Sequence, residues 1–164
     1  MSSVNYIKIG LGGGCHWCTE AVFMSLNGVR NVQQGWIASD DQNSEWSEAV
    51  WLEFDPLVIS LKDLIEVHLN THASTSSHSM RKKYRSAVYY TSDHQKQNVI
   101  SALKELSENF KKPVITTALK FERFKLNQES QLEYFKKNKD NQFCERYVHP
   151  KLNMLKSKFT NLVE

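Results

Sequence analysis

A thiol beside a glycine turn is the most reactive feature of the sequence. Cys15 follows three consecutive glycines and precedes His16, Trp17 and Cys18. Alternating residues before the glycines predict a short strand, and an apolar stripe after Cys18 predicts a helix that ends at Asn27-Gly28. Cys15 is therefore predicted to lie at a helix N-terminus, where unpaired N–H groups and the helix dipole favour a thiolate. We interpret Cys15 as a catalytic nucleophile.

Glu48 is the second residue whose position suggests chemistry. It begins a predicted strand over residues 48–54, and alternation places it on the same face as Val50 and Leu52. An apolar face disfavours an ionised carboxylate, so we expect burial to raise the pKa of Glu48 and make it a proton donor near neutral pH. The same spacing fits a residue that ends the strand in solvent, and the sequence leaves the two interpretations equal.

A serine-rich loop over residues 73–83 carries further polar candidates. His72 precedes it, His78 lies within it, and Tyr84 follows just before the next predicted strand. Histidine and hydroxyl groups at such a position can bind a polar substrate, but surface loops of this composition are also common. The loop alone is a weak indication of a binding site.

Length and composition bound the class of protein. The 164 residues suit one domain spanning 1–164, and no signal peptide or membrane span is visible, so we expect a cytoplasmic protein with no membrane partner. Three cysteines are too few for a disulfide framework and are better explained as reactive or metal-binding. The basic second half, with eighteen Lys/Arg against nine Asp/Glu in residues 80–164, spreads its charge over helical faces and predicts no nucleic-acid partner.

Periodicity and turn signals predict the elements that must position these residues. Strands are expected at 6–11, 29–37, 48–54, 86–91 and 114–121, and helices after Cys15, after Ser60, after Ser92, over 128–137 and after Pro150. Up to residue 91 the order is β-α-β-β-α-β. This order predicts an α+β fold, a ferredoxin-like two-layer sandwich with an antiparallel sheet, helices on one face, and an additional C-terminal strand and helices.

Several motifs together resemble the type A peptide methionine sulfoxide reductase family. The segment Gly13-Gly14-Cys15-His16-Trp17-Cys18-Thr19-Glu20 is similar to the family's Gly-Gly-Cys-Phe-Trp-(Gly/Cys)-x-Glu motif. Further similar segments are Gly35-Trp36, Glu48-Ala49-Val50 with Phe54-Asp55-Pro56, Tyr84-Arg85-Ser86-Ala87-Val88-Tyr89, and Lys137-Asn138 followed by Phe143-Cys144. The resemblance covers nearly the whole chain, and its cysteine motif is specific.

The resemblance implies reduction of methionine S-sulfoxide, free or in proteins. Cys15 would be the nucleophile, and Glu48 would be the acid that hydrogen-bonds and protonates the sulfoxide oxygen. Trp17 would form part of the pocket for the methyl group, and Tyr84 would bind the oxygen through its hydroxyl group.

Two thiols are available to resolve the sulfenic acid that the reaction would leave on Cys15. Cys18 lies three residues further on, so both side chains are expected on one face of the first helical turn. Cys144 matches the family's C-terminal resolving thiol. We expect Cys18 to react first and Cys144 to pass the disulfide to thioredoxin, or to dithiothreitol in an assay. The resemblance implies no cofactor beyond this reductant, and no metal.

The chain departs from the family around the substrate. His16 replaces the Phe of the motif and puts a titratable ring in an apolar pocket wall. The shorter loop before Glu48 lacks the family's Tyr, which leaves Trp46 as the nearby aromatic residue. The shorter loop before Tyr84 lacks the family's Asp, which leaves His78 among the substitutes. We therefore expect His16, Trp46 and His78 at the substrate site.

The residues alone are also compatible with other classes of protein. Cys15-x-x-Cys18 is also the spacing of a thioredoxin-like dithiol oxidoreductase, although no proline follows in the expected place. A zinc-binding module would use Cys15, Cys18, His16 and a histidine of the serine-rich loop, without regular spacing in the second ligand pair. A non-catalytic protein that binds oxidised methionine would keep the same residues.

Overall fold

Six strands form a single sheet in the computed structural model, which describes residues 5–77 and 79–163. The strands are β1 (Ile7–Gly12), β2 (Val29–Ala38), β3 (Ser47–Phe54), β4 (Ala87–Tyr90), β5 (Thr117–Lys120) and β6 (Arg123–Leu126). The helices are α1 (His16–Met24), α2 (Leu61–Thr71), α3 (Asp93–Ser107), α4 (Tyr134–Lys137) and α5 (His149–Lys158). The spatial order of the strands is β5-β4-β1-β3-β2-β6.

The four central strands confirm the ferredoxin-like prediction. Strands β4, β1, β3 and β2 lie side by side and pair antiparallel throughout. The prediction of a wholly antiparallel sheet was wrong at one edge, where β5 pairs parallel to β4. Helix α3 connects these two strands, and a helical crossover is the connection that a parallel pair requires.

The second edge strand, β6, was not predicted. It follows β5 after two residues that carry no glycine or proline turn signal, and it pairs antiparallel with β2 at the opposite edge of the sheet. Gly35 of β2 permits this pairing, because a Cβ atom there would lie only 1.9 Å from the carbonyl oxygen of Lys125. The link of two residues between β5 and β6 bonds to both sides, because the N–H of Phe121 donates to the carbonyl oxygen of Tyr90 at 2.9 Å and the N–H of Glu122 donates to that of Ala38 at 3.1 Å. The sheet is therefore curled so that its two edges lie close together.

The predicted helix over residues 128–137 was also wrong in extent. The structure has a 3₁₀ turn at Glu129–Gln131 and the single-turn helix α4, separated by Glu133 with a left-handed φ of 53°. The buried carboxylate of Glu20 accepts hydrogen bonds from the backbone N–H groups of Glu133 and Tyr134, at 2.9 and 3.1 Å. This tertiary contact satisfies donors that a continuous helix would use internally.

The core lies between one face of the sheet and helices α1, α2, α3 and α5. Alternate residues of the central strands point into it, among them Ile9, Leu11, Val50, Leu52 and Val88. Glu48 belongs to the same alternation on β3, and its side chain is buried. The structure therefore decides between the two interpretations of Glu48, because the residue lies on the core face and not at a solvated strand end.

Two helices that support this core begin at serine caps, as the sequence predicts. The Ser60 hydroxyl accepts from the N–H of Asp63 in a capping box, and the Ser92 hydroxyl accepts from the N–H of Gln95. Of the helices within residues 5–77 and 79–163, none has the length and apolar character needed to cross a membrane.

Candidate active site

Cys15 is the N-cap residue of α1, as the glycine turn and the apolar stripe predict. Its carbonyl oxygen accepts the N–H of Thr19 at 3.1 Å, while its side chain is half-buried. The pKa of Cys15 is lowered to about 6, first by a hydrogen bond from the Cys18 thiol and then, against the opposing effect of burial, by the backbone N–H of Trp17. At neutral pH the side chain is therefore mainly a thiolate. The helix N-terminus contributes as expected, but the neighbouring thiol contributes more.

The three cysteines lie in one cluster. Cys18 and Cys144 are both buried and pack together with Ala21 and Val148, and Cys15 packs against this group. The hydrogen bond to Cys15, and then burial, raise the pKa of Cys18, and burial raises the pKa of Cys144. Only Cys15 is therefore activated as a nucleophile, and the other two remain thiols.

Cys144 begins a wide helical turn, Cys144–Val148, that leads directly into α5. The backbone N–H of Cys144 donates to the side chain of Asn141 at 2.8 Å, which fixes the start of this turn. Such π-helical turns are uncommon and often occur at functional sites. The turn brings Cys144 back to α1 although it lies far along the chain.

The Glu48 carboxylate faces the N-terminus of α1. Its Oε1 accepts the backbone N–H of His16 at 3.3 Å and also contacts Nδ1 of the His16 ring. On the other side, Oε2 lies 3.5 Å from Nζ of Lys83. The carboxylate is thus next to Cys15 in the helix cap and raises the pKa of that thiol by its charge.

The expected direction of the Glu48 pKa was wrong. Burial by itself raises it, but the contacts with His16 and the positive charge of Lys83 more than offset burial, so the pKa lies below its ordinary value. Glu48 is therefore ionised at neutral pH in the free protein. A role as proton donor requires that it take up a proton in the reactive state.

A cavity of about 450 Å³ opens onto Cys15. Its walls combine the glycine turn, two thiols, aromatic rings and a single lysine: Gly13, Gly14, Cys15, Cys18, His72, Ala73, Tyr84, Phe143, Tyr147 and Lys151. Tyr84 thus shares a cavity with the nucleophile, as the sequence predicts. The cavity is wide enough for the side chain of methionine sulfoxide and apolar enough to hold its methyl group.

Trp17 lies among aromatic rings that pack against the cavity. It stacks on Tyr134 with the ring centroids 4.0 Å apart and meets Phe143 edge to face at 5.3 Å. Its indole Nε1 is buried and is one of the few such atoms in the described chain without a hydrogen-bond partner. Trp17 is therefore held in a fixed orientation by packing.

The other three residues expected at the substrate site differ in where they lie. His16 is buried against Glu48 and meets the ring of Trp36 at a centroid distance of 5.4 Å. Trp46 is exposed, with the guanidinium group of Arg123 5.0 Å from its ring centre. His78 lies outside the described residues. Trp36 is thus an aromatic neighbour of His16 in place of Trp46, and the sequence analysis named Trp36 only as part of the family resemblance.

Three residues support the glycine turn, a role that the sequence did not predict for any of them, although His72 was a candidate for substrate binding. Arg81 donates to the carbonyl oxygens of Gly13 and Tyr84 at 2.7 and 2.8 Å, and Nε2 of His68 bonds to the carbonyl oxygen of Gly12 at 2.7 Å. His72 packs against the turn and is bound to Ser86 at 2.8 Å. Together they join the turn before Cys15 to the loop before β4. Arg81 lies in the short basic run Arg81-Lys82-Lys83, and the composition of that run does not indicate which of its members binds the backbone.

The zinc alternative requires a cluster of ligands. Over residues 5–77 and 79–163, no three His, Cys, Asp or Glu side chains are grouped so that they could hold a metal ion. Both His16 and Cys18 are already engaged by other partners, namely Glu48 and Cys15. The described site therefore offers thiol chemistry.

A ferredoxin-like fold with an activated thiol at a helix cap and a second thiol one turn away defines a cysteine-dependent oxidoreductase. The model of the peptide methionine sulfoxide reductase family matches residues 7–162, and the chain belongs to that family. A peptide methionine sulfoxide reductase MsrA of Trichodesmium erythraeum is 31% identical over 171 residues, which cover 94% of this chain and 97% of the relative. The family's reaction, reduction of methionine sulfoxide, is thus the activity of this chain.

Solved structures show the same fold. Mxr1 from Saccharomyces cerevisiae in its reduced form has a TM-score of 0.75 at 20% identity, over 89% of this chain and 96% of that one. Mxr1 in complex with Trx2 has a TM-score of 0.62 at 19% identity, over 82% and 90% of the two chains.

Proposed function

We propose that the Cys15 thiolate attacks the sulfur of methionine S-sulfoxide, free or in proteins, while Glu48 supplies the proton. The observation that carries this proposal is the helix cap, where a thiol with a pKa of about 6 lies beside a buried carboxyl group. Thiolate attack on a sulfoxide requires a proton on the sulfoxide oxygen, and these two groups are what that step needs.

The step balances as an oxygen transfer. Glu48 first takes a proton from solvent and passes it to the sulfoxide oxygen while Cys15 sulfur forms a bond to the substrate sulfur. The protonated oxygen then passes to Cys15, as its bond to the substrate sulfur and the new sulfur–sulfur bond both break. The substrate sulfur gains two electrons and becomes methionine, while Cys15 loses two electrons and becomes a sulfenic acid. Tyr84, which lines the same cavity, would hold the oxygen through its hydroxyl group, and Trp17, stacked on Tyr134, would support the methyl pocket.

We infer that Cys18 condenses first with the sulfenic acid. The Cys18 thiol already donates a hydrogen bond to Cys15, so it needs little movement to attack, and water leaves as the disulfide forms. Cys144 packs in the same cluster and is the next thiol to which the disulfide can pass. Mass mapping after one equivalent of sulfoxide is expected to show a Cys15–Cys18 bridge. A dominant Cys15–Cys144 bridge that survives Cys18→Ser would reverse this order.

A thioredoxin is the proposed reductant. The similar yeast protein Mxr1 was solved in complex with Trx2. A dithiol of this class would return two electrons and two protons to the disulfide and restore both thiols. Three cysteines are too few for a disulfide framework, and a reducing compartment such as the cytoplasm would keep them as thiols between turnovers.

The direct test is reduction of separated methionine sulfoxide epimers with dithiothreitol as the reductant. We expect turnover of the S epimer and little of the R epimer, because each sulfoxide reductase serves one epimer. Equal rates on both epimers, or on neither, would remove the assignment. Cys15→Ser is expected to abolish turnover, because a hydroxyl group stays protonated where the thiol ionises.

Glu48→Gln tests the proton donor. We expect the barrier of the chemical step to rise by about 2–4 kcal/mol, which is the usual cost of losing one preorganised donor. Glu53→Gln is the matched control, because Glu53 lies on the same strand and binds Arg30 on the surface. A loss of less than tenfold in Glu48→Gln would assign the proton to another group.

A further inference from the structure

His16 is held between two fixed partners, one at each ring nitrogen. Nδ1 contacts Oε1 of Glu48, and Nε2 lies 2.8 Å from Nδ2 of Asn127. All three side chains are buried. A buried imidazole with two partners of different kinds has one tautomer that suits both. The partners therefore decide which nitrogen carries the hydrogen.

The orientation of the Asn127 amide is fixed by two other contacts. Its Oδ1 accepts the backbone N–H of Gln128 at 2.8 Å, so its amino group must point the other way. That amino group donates to Oε1 of Gln34 at 2.9 Å. Gln34 is itself oriented, because its amino group donates to the carbonyl oxygen of Gln131 at 2.8 Å. A flip of either amide would set two acceptors or two donors against each other.

Asn127 can therefore only donate to Nε2 of His16. Nε2 must carry a lone pair, and the ring hydrogen must be on Nδ1, where it faces Glu48. A second proton on His16 would set an N–H group against the amino group of Asn127. When the pair of His16 and Glu48 takes up a proton, the carboxylate is the group that can accept it.

We propose that Gln34 and Asn127 are positioning residues that hold His16 as its Nδ1–H tautomer and so direct the proton of the pair to Glu48. The consequence for catalysis rests on the proposed function, in which Glu48 protonates the sulfoxide oxygen. The family's motif has an apolar ring at the position of His16. The hydrogen bonds of Gln34 and Asn127 let this chain carry a histidine at that position while Glu48 remains the proton donor.

The other groups around the ring do not provide a competing acceptor. Trp36 and Trp17 meet it edge to face, at centroid distances of 5.4 and 6.1 Å. Lys83 is the cation on the far side of the carboxylate, 3.5 Å from Oε2. Cys15 precedes His16 in the helix cap and carries the nearest negative charge besides Glu48. Nδ1–H of His16 and the charge of Lys83 both stabilise the carboxylate in the free protein, whereas the negative charge of Cys15 favours uptake of a proton by the pair.

The test begins with the unaltered protein. Long-range ¹H–¹⁵N correlation spectra of protein labelled in its histidine rings are expected to show His16 singly protonated at Nδ1 at neutral pH. An Nε2–H tautomer, or a doubly protonated ring, would overturn the proposal. This readout does not depend on turnover, so it stands or fails separately from the role given to Glu48.

Asn127→Asp replaces the donor with an acceptor of almost the same shape. We expect His16 to become doubly protonated and kcat/KM to fall at least tenfold, with a changed pH profile. Asn98→Asp is the matched control, because Asn98 faces His94 at 3.3 Å on the exposed surface of α3. An Asn127→Asp effect of equal size in a His16→Phe background would contradict the proposal, because Asn127 would then act without the imidazole.

Discussion

Cys18 has two roles that a pair of substitutions can separate. Its thiol donates the hydrogen bond that is the largest cause of the low Cys15 pKa, and it is also the proposed first resolving thiol. Cys18→Ala removes both roles. Cys18→Ser removes only the second, because a hydroxyl group still donates to a thiolate. The two variants therefore differ in the hydrogen bond alone.

The expected effect is a change in the midpoint of thiolate formation. With a pKa of about 6, Cys15 is about nine-tenths ionised at pH 7, whereas at the ordinary value of 9.0 it would be about one-hundredth ionised. We expect the midpoint to rise above about 7.5 in Cys18→Ala, because burial then acts with less opposition. Cys18→Ser is expected to stay near the wild-type midpoint.

The assay must follow ionisation and not turnover. A thiolate of higher pKa is also a stronger nucleophile, by a Brønsted coefficient of about 0.4–0.5, and this gain offsets much of the lost fraction at pH 7. Ultraviolet absorbance of the thiolate, with alkylation mapped to Cys15 by mass spectrometry, reports the midpoint directly. An unchanged midpoint in Cys18→Ala would show that the helix N-terminus alone activates Cys15 and would refute the reasoning.

Three further predictions follow from the site and its support. Above about pH 7, kcat/KM is expected to fall about tenfold per pH unit, because Cys15 is then almost fully ionised while the protonated fraction of Glu48 keeps decreasing; a level rate from pH 7 to pH 9 would contradict this. Gly13→Ala is expected to lower the free energy of unfolding by about 1–3 kcal/mol in urea titrations, because φ is +149° and a Cβ atom would lie 2.5 Å from the ring of His72. Gly14→Ala is the control and should lower it less, because a Cβ atom there would lie 3.6 Å from the Cβ of His72, an ordinary contact distance. Burial lowers the pKa of His68 to about 4, so the unfolded chain binds a proton first as the pH falls from 6.5, and this group alone should lower the free energy of unfolding by about 3 kcal/mol by pH 4. Burial also lowers the pKa of His72, so His68→Gln is expected to remove the His68 part of the decrease and to keep the part due to His72.

Local patterns predicted the parts of the site that depend on neighbours in the sequence. The glycine turn and the stripe after Cys18 place Cys15 at the cap of α1. Strand alternation gave the core face as one of two equal interpretations of Glu48, and the structure shows the residue there. Both conclusions use only the periodicity of a helix or a strand. The resemblance to the family added the chemistry, which periodicity cannot supply.

The remaining features depend on contacts between distant parts of the chain. Asn127 and His16 are separated by 111 positions and meet only because β6 returns to pair with β2. The direction of the Glu48 pKa depends on where the side chains of His16 and Lys83 lie, and burial alone gave the wrong sign. No spacing in the sequence reports either arrangement.

The central claim is that Cys15 takes the oxygen of the substrate. One measurement tests it directly: a single turnover of methionine S-sulfoxide by the Cys18→Ser, Cys144→Ser double variant in the presence of dimedone, which traps sulfenic acids. The account predicts one methionine per protein molecule and a dimedone adduct on Cys15. Methionine formed without that adduct, or no methionine at all, would contradict it.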